Sequence, residues 1–144
     1  MARFYDLDEA NAAIPEVRTI LESLRDQRAE LIRLRDEVLA TADDTPDARS
    51  EGRGDAATEA RTDADVRVLR LRMQGVIDRM QAGVVRIDEL GITLREIETG
   101  LIDFPALANG RQIWLCWRLG EDDVAYWHEL ADGFAGRLPL AELT

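Results

Sequence analysis

A seven-residue grid of apolar side chains, interrupted once, constrains this chain more than any other feature. Val17, Leu24, Leu31 and Val38 form one column, and Ile20, Gln27 and Leu34 form the other. After a gap the grid resumes, with Val66, Met73, Met80 and Ile87 in one column and Leu69, Val76, Gly83 and Leu90 in the second. These are the a and d positions of a coiled coil, whose apolar seam must be covered by a partner helix. At about 1.5 Å rise per residue each helix is on the order of 40 Å long. The spacing therefore predicts an antiparallel helical hairpin with arms at 7–40 and 63–90.

The start of the first arm is written in Asp6-Leu7-Asp8-Glu9, which has the form of a capping box. Pro15 removes a backbone donor inside the arm, so a kink or restart is expected near 14–15. Residues 41–62 contain Thr-Pro-Asp and Ser-Glu-Gly-Arg-Gly-Asp and almost nothing large and apolar. Such a segment cannot offset its ordering entropy by burial, and it reads as a flexible tip that permits the antiparallel return.

Charges flanking the seam agree with that direction. In an antiparallel pair the g columns face each other, and here Glu16, Ser23, Glu30 and Glu37 oppose Arg72, Arg79 and Arg86. One register sets Glu16 against Arg86 and Glu30 against Arg72. A slip of one heptad sets Glu30 against Arg79 and Glu37 against Arg72. Off the seam, Val68, Leu71, Gly75, Ala82 and Val85 make a second small-and-apolar stripe on the second arm. A helix with two apolar faces is buried on two sides. That stripe is the expected interface of a homo-oligomer, with a symmetric dimer the commonest arrangement.

At Gly91 the period changes from seven to two. Segments 92–97, 101–104, 112–118 and 124–130 read as four strands of a small antiparallel meander, with 105–111 as a connector. Six of the eight aromatic residues fall from Phe104 onward, which gives the module its own aromatic core. The fold class is α+β: a long antiparallel coiled-coil hairpin followed by a β-meander at 91–144, in a single domain over 1–144.

Composition narrows the function. A formal net charge of −11 repels phosphate backbones and anionic membrane surfaces, so neither nucleic acid nor membrane is an expected partner. The 18 basic residues are all arginine, which removes any Schiff-base or lysine-base mechanism. No basic-then-apolar leader and no run of roughly 18 apolar residues is present, and the single cysteine has no internal partner for a disulfide. The cytoplasm is the expected location.

Local signatures of phosphate loops, dinucleotide sites, zinc proteases and serine hydrolases are absent. The β module nevertheless concentrates reactive types: the only histidine, His128; the only cysteine, Cys116; and the carboxylates Asp103, Glu121, Asp122 and Asp123. A neutral imidazole beside carboxylates suits a divalent metal, and Asp103, Glu121 and His128 are the candidate ligands from three strand ends. The bland alternative is that His128 bonds a carboxylate or carbonyl and ties the sheet together. Cys116, between Trp114 and Trp117, reads as an inert buried thiol rather than a nucleophile paired with His128. Arg118 and Glu121 suit an ion pair bracing their turn. Gly133-Phe134-Ala135-Gly136-Arg137 reads either as a turn plugged by its Phe or as a backbone anion nest closed by Arg137.

Several of these segments together resemble a bacterial family, domain of unknown function number 2203. They are Asp8-Glu9-Ala10-Asn11 with Ile14-Pro15, Gly100-Leu101-Ile102-Asp103-Phe104-Pro105, Cys116-Trp117-Arg118-Leu119-Gly120-Glu121, Trp127-His128-Glu129 and Gly133-Phe134-Ala135-Gly136-Arg137. The resemblance covers the chain apart from the tip. It implies a helical pair and a compact C-terminal module, brings no assigned activity, and maps its motif onto Asp103, Phe104, Trp117, Glu121, Trp127, His128, Phe134 and Arg137.

Two functional readings follow. The first is a non-enzymatic structural or protein-interaction module that self-associates through its hairpin and presents its β module to a protein partner, with no catalytic residue. The second is a divalent-metal-binding protein or metal-dependent enzyme using Asp103, Glu121 and His128.

Overall fold

A computed structural model describes residues 3–50 and 56–143, excepting the side chains of 42–50. Two long helices, α1 (Leu7–Ser50) and α2 (Ala56–Glu89), precede five strands: β1 (Thr93–Glu96), β2 (Leu101–Ala108), β3 (Arg111–Arg118), β4 (Tyr126–His128) and β5 (Leu138–Pro139). The strands form one antiparallel sheet in the order β1-β2-β3-β4-β5. No helix among the described residues is long and apolar enough to cross a membrane.

The helices follow the heptad grid. Every a and d position from Val17 to Leu90 is buried or half-buried. Both helices exceed the predicted arms: α1 continues to Ser50 and α2 begins at Ala56, so both shoulders of the expected tip are helical. At 56–62 the alanine, glutamate and arginine content favours helix. Residues 51–55 lie outside the described residues, and so does the flexibility expected of the tip. The capping box is present, with the Glu9 amide donating to Asp6 Oδ1 at 2.7 Å and the Asp6 amide to Glu9 Oε1 at 3.4 Å.

Pro15 does not restart the helix. It costs α1 one backbone bond, but Ile14 and Val17 on either side of it are buried at 3% and 0% exposure. In long helices tertiary packing of this kind outweighs local propensity.

The chain divides into two compact units, Met1–Arg25 with Gln81–Thr144, and Asp26–Met80. In the first unit Glu16 meets Arg86 at 2.8 Å, and Gly83 lets the helices approach so closely that a Cβ there would sit 3.1 Å from Leu24 Cδ2. In the second unit Glu30 meets Arg79 at 3.9 Å. Each of the two predicted registers thus contributes one pair. These pairs are exposed and fix direction more than stability.

The first unit also shows which helix is buried on two sides. Ala10, Ile14, Val17, Leu21 and Leu24 of α1 are all nearly inaccessible. The helix start is tied to the sheet: the Tyr5 amide donates to the Pro105 carbonyl at 2.7 Å, the Tyr5 ring packs edge-on against Phe104, and Asn11 Oδ1 accepts from the Val124 amide at 2.8 Å. The α2 stripe expected to meet a second copy is exposed in the single chain, with Val68 at 54%, Leu71 at 73% and Val85 at 47%.

The sheet differs from the predicted meander in three respects. There are five strands rather than four, because Leu138–Pro139 pairs with Tyr126 and Trp127. β4 is shorter than the segment 124–130. Most consequentially, 105–111 is no connector: β2 runs through Pro105 to Ala108, turns at Asn109 and Gly110 (φ 52° and 80°), and returns as β3 from Arg111. Positive φ at both central residues is the twist-matched hairpin turn that Asn-Gly favours. Pro105 is tolerated because β1 pairs only as far as Asp103, so no neighbouring strand requires the missing N–H.

Candidate functional site

The sheet has two faces of different character. Strand pleating puts Phe104, Ile113, Leu115, Trp117 and Trp127 on one face, all buried, with Phe104 against Tyr5 and the Arg18 guanidinium over Trp117. The opposite face carries Asp103, Cys116, Tyr126 and His128. Register brings these together: Asp103 pairs directly with Cys116, Cys116 with Tyr126, and Trp114 with His128.

Asp103, Cys116 and His128 are 2%, 1% and 2% exposed. One donor atom from each lies within 4.8 Å of the others, the only such group of three His, Cys or carboxylate residues among those described. His128 is fixed at both ring nitrogens, Nδ1 lying 2.9 Å from the Glu129 carbonyl oxygen and Nε2 3.0 Å from Asp103 Oδ1. The second carboxylate oxygen of Asp103 accepts from Arg95 Nε at 2.8 Å. Arg95 in turn packs over the Trp114 ring at 4.9 Å.

These partners determine where the protons sit. A carbonyl oxygen only accepts, so Nδ1 must carry a proton. Nε2 faces a carboxylate, which accepts as well unless protonated. Both contacts are satisfied only if one further proton sits between Nε2 and Oδ1, which an imidazolium opposite a carboxylate supplies. Remove that proton, and Nε2 becomes a lone pair aimed into the cluster while Nδ1–H remains anchored.

Cys116 completes the group. Burial foremost, and then the charge of Asp103, push its thiol up to about 11, so it is protonated at neutral pH and is no activated nucleophile. Arg137 Nη1 lies 3.8 Å from its sulfur. All three residues line one cleft of about 370 Å³, together with Arg95, Leu101, Leu130, Asp132, Gly133 and Phe134.

Of the ligands proposed from sequence, Asp103 and His128 meet, and Glu121 is engaged elsewhere. Its two oxygens are taken by the Arg137 guanidinium, one contact measuring 3.1 Å, and Oε1 also accepts from the Arg118 amide at 2.8 Å. Burial alone pushes the Glu121 carboxyl up, but these bonds and the Arg137 charge outweigh it and hold the group below its ordinary range. The Arg118–Glu121 brace is thus made by the Arg118 backbone rather than its guanidinium, which lies over Phe134. Gly133-Phe134-Ala135-Gly136-Arg137 forms a 3-10 turn with Arg137 committed to Glu121, so the reading as an anion nest closed by Arg137 does not hold. Asp122 and Asp123 are exposed, and the Asp122 carbonyl accepts from Trp117 Nε1 at 3.0 Å.

Sequence reasoning missed Cys116 as a member of the cluster and Arg95 as the group that orients Asp103. The Asn109-Gly110 dipeptide held the signal: a two-residue loop pairs Ala108 with Arg111, and counting outward sets Asp103 opposite Cys116.

No curated protein and no solved structure matches the chain. A family model does, over residues 3–140, and its description is Uncharacterized conserved protein (DUF2203).

Proposed function

We propose that this chain, which belongs to the DUF2203 family of uncharacterized conserved proteins, binds a divalent transition-metal ion through Asp103, Cys116 and His128. One observation carries the reading. Three adjacent strands bring an oxygen, a sulfur and a nitrogen donor within 4.8 Å of one another, with the far nitrogen of the imidazole already bound to a carbonyl. Histidine ligands are characteristically oriented in that way.

The donor set selects the metal class. Thiolate and imidazole favour zinc and its neighbours over magnesium or calcium. Donors around a tetrahedral ion sit roughly 3.5 Å apart, so the present spacing requires shifts of about an ångström. Coordination needs the Cys116 proton, and any proton between His128 and Asp103, to leave for solvent. The dication is then balanced by one thiolate and one carboxylate.

Three protein ligands lining an open cleft leave a fourth position for water or substrate, as in catalytic rather than closed structural sites. A metal held there supplies Lewis acidity to the occupant of the cleft. Glu121 has no part in this set, and its replacement by Cys116 is the main revision of the ligand assignment. Elemental analysis, with thermal-shift titration by Zn²⁺, Mn²⁺ and Fe²⁺, tests the proposal. Stoichiometric metal, or a shift lost in His128→Ala, supports it; neither metal nor shift contradicts it.

A second reading concerns assembly. We infer self-association through the outer stripe of α2, because Leu71 is the most exposed large apolar side chain among the described residues. A dimer by light scattering that Leu71→Glu turns into a monomer supports it; a strict monomer contradicts it.

A further inference from the structure

We infer that Arg137 is a positioning residue for the sulfur ligand, aiming a fixed N–H donor at Cys116 Sγ; the inference rests on the metal-binding reading above. Arg137 comes from the tail that follows the 3-10 turn at Phe134–Gly136, outside the strands that carry the three ligands. Its guanidinium is fixed from several directions. Both terminal nitrogens bond the two oxygens of Glu121, and the plane packs against Tyr126 at 3.8 Å and Phe134 at 4.4 Å. A fork paired with a carboxylate has little freedom to turn.

The remaining contact runs from Nη1 to Cys116 Sγ at 3.8 Å, within hydrogen-bond range for sulfur. A neutral thiol is a weak acceptor, and a cation directed at it gains little. A metal-bound cysteine is a thiolate, and a charge-assisted N–H bond to it is substantially stronger. The Arg137 side chain, only 13% exposed and braced by Glu121, is therefore built for the coordinated sulfur. Donation from Arg137 withdraws charge from the sulfur and fixes the direction of its remaining lone pairs. Glu121, the motif carboxylate outside the ligand set, acquires a role as the brace of that donor.

Cobalt(II) titration of the full chain provides a readout that a merely structural arginine would not move, the near-ultraviolet sulfur-to-cobalt charge-transfer band. Wild type is expected to show the band. In Arg137→Met it moves to lower energy, because the thiolate loses its donor, and cobalt affinity falls about 10-fold or more, as for other groups that orient metal ligands. Arg137→Lys keeps the charge without the fork and is expected to restore the band position in part. Glu121→Gln leaves Arg137 in place but unbraced, and should give a smaller shift in the same direction.

Arg137→Met binding cobalt with an unmoved band overturns the inference while leaving the metal site standing. If Arg137→Met does not fold, the lysine and Glu121→Gln variants decide: wild-type spectra in both overturn it. A wild-type chain that binds no cobalt overturns the metal reading itself, and this inference with it.

Discussion

Nε2 of His128 lies 3.0 Å from Oδ1 of Asp103, and the two side chains, from β4 and β2, are 2% and 3% exposed. The far nitrogen of the ring, Nδ1, lies 2.9 Å from the Glu129 carbonyl oxygen. The same contact thus serves as a brace for the sheet and as the resting form of the proposed site.

Removing one partner leaves the other buried without its hydrogen bond, a change that typically costs about 1–3 kcal/mol. Asp103→Ala is expected to destabilise the metal-free chain by about 2 kcal/mol, measured by urea unfolding at neutral pH. A loss under about 0.5 kcal/mol would mean that the contact does not brace the sheet.

Cys116 makes stability depend on alkaline pH. Its folded value is pushed from 9.0 up to about 11, so between those values the unfolded chain has lost a proton that the folded chain retains. Stability therefore falls as pH rises from 9 towards 11, by on the order of 2 kcal/mol from this group alone. Subtracting the profile of Cys116→Ala isolates it, since other titrating groups are common to both. A flat difference profile would contradict the assignment.

Glu121 acts at the acid end with the opposite sign. Its carboxyl is held below the ordinary 4.5, so its contribution is present above that value and is lost as pH falls through the folded one. Glu121→Gln should cost about 2 kcal/mol at neutral pH, the usual worth of a charge-assisted contact. The difference should shrink towards zero in acid, as followed by denaturation at a series of pH values.

Gln27 is the polar intruder in the heptad grid, and its Oε1 is buried with no hydrogen-bond partner. Gln27→Leu relieves an unsatisfied acceptor at a position patterned for an apolar side chain. A gain of about 1 kcal/mol in stability is expected. A loss would show that the amide has a partner in the folded protein.

Much of the fold was legible because its signals are periodic. The a and d columns announced both helices, and the charge columns gave their antiparallel direction and anticipated Glu16–Arg86 and Glu30–Arg79. What was not legible depended on tertiary context. Pro15 and Pro105 each suggest a break, yet α1 runs through the first because its flanks are packed, and β2 runs through the second because its N–H would face no partner strand. Within the chain α1 is also buried on a further side, through Ile14 and Leu21, where the seam pattern alone gave no warning. At the site, Asp103 and His128 were legible by residue type. Cys116 required strand register, which Asn109-Gly110 encoded and Pro105 obscured. Arg95 is one among 18 arginines, and no spacing separates it from the rest; Arg137 stood out by its place after Gly133-Phe134-Ala135-Gly136, but its contact with Cys116 did not.

On the proposed reading, Asp103, Cys116 and His128 hold one metal ion at the expense of the protons they now carry. Calorimetric titration of the metal-free chain with Zn²⁺, in two buffers of different ionisation enthalpy, counts both the ions taken up and the protons given off. Binding of about one ion per chain with release of at least the Cys116 proton is expected, and loss of binding in Cys116→Ala. Absence of binding, or binding unchanged in Cys116→Ala and His128→Ala, would contradict the metal site.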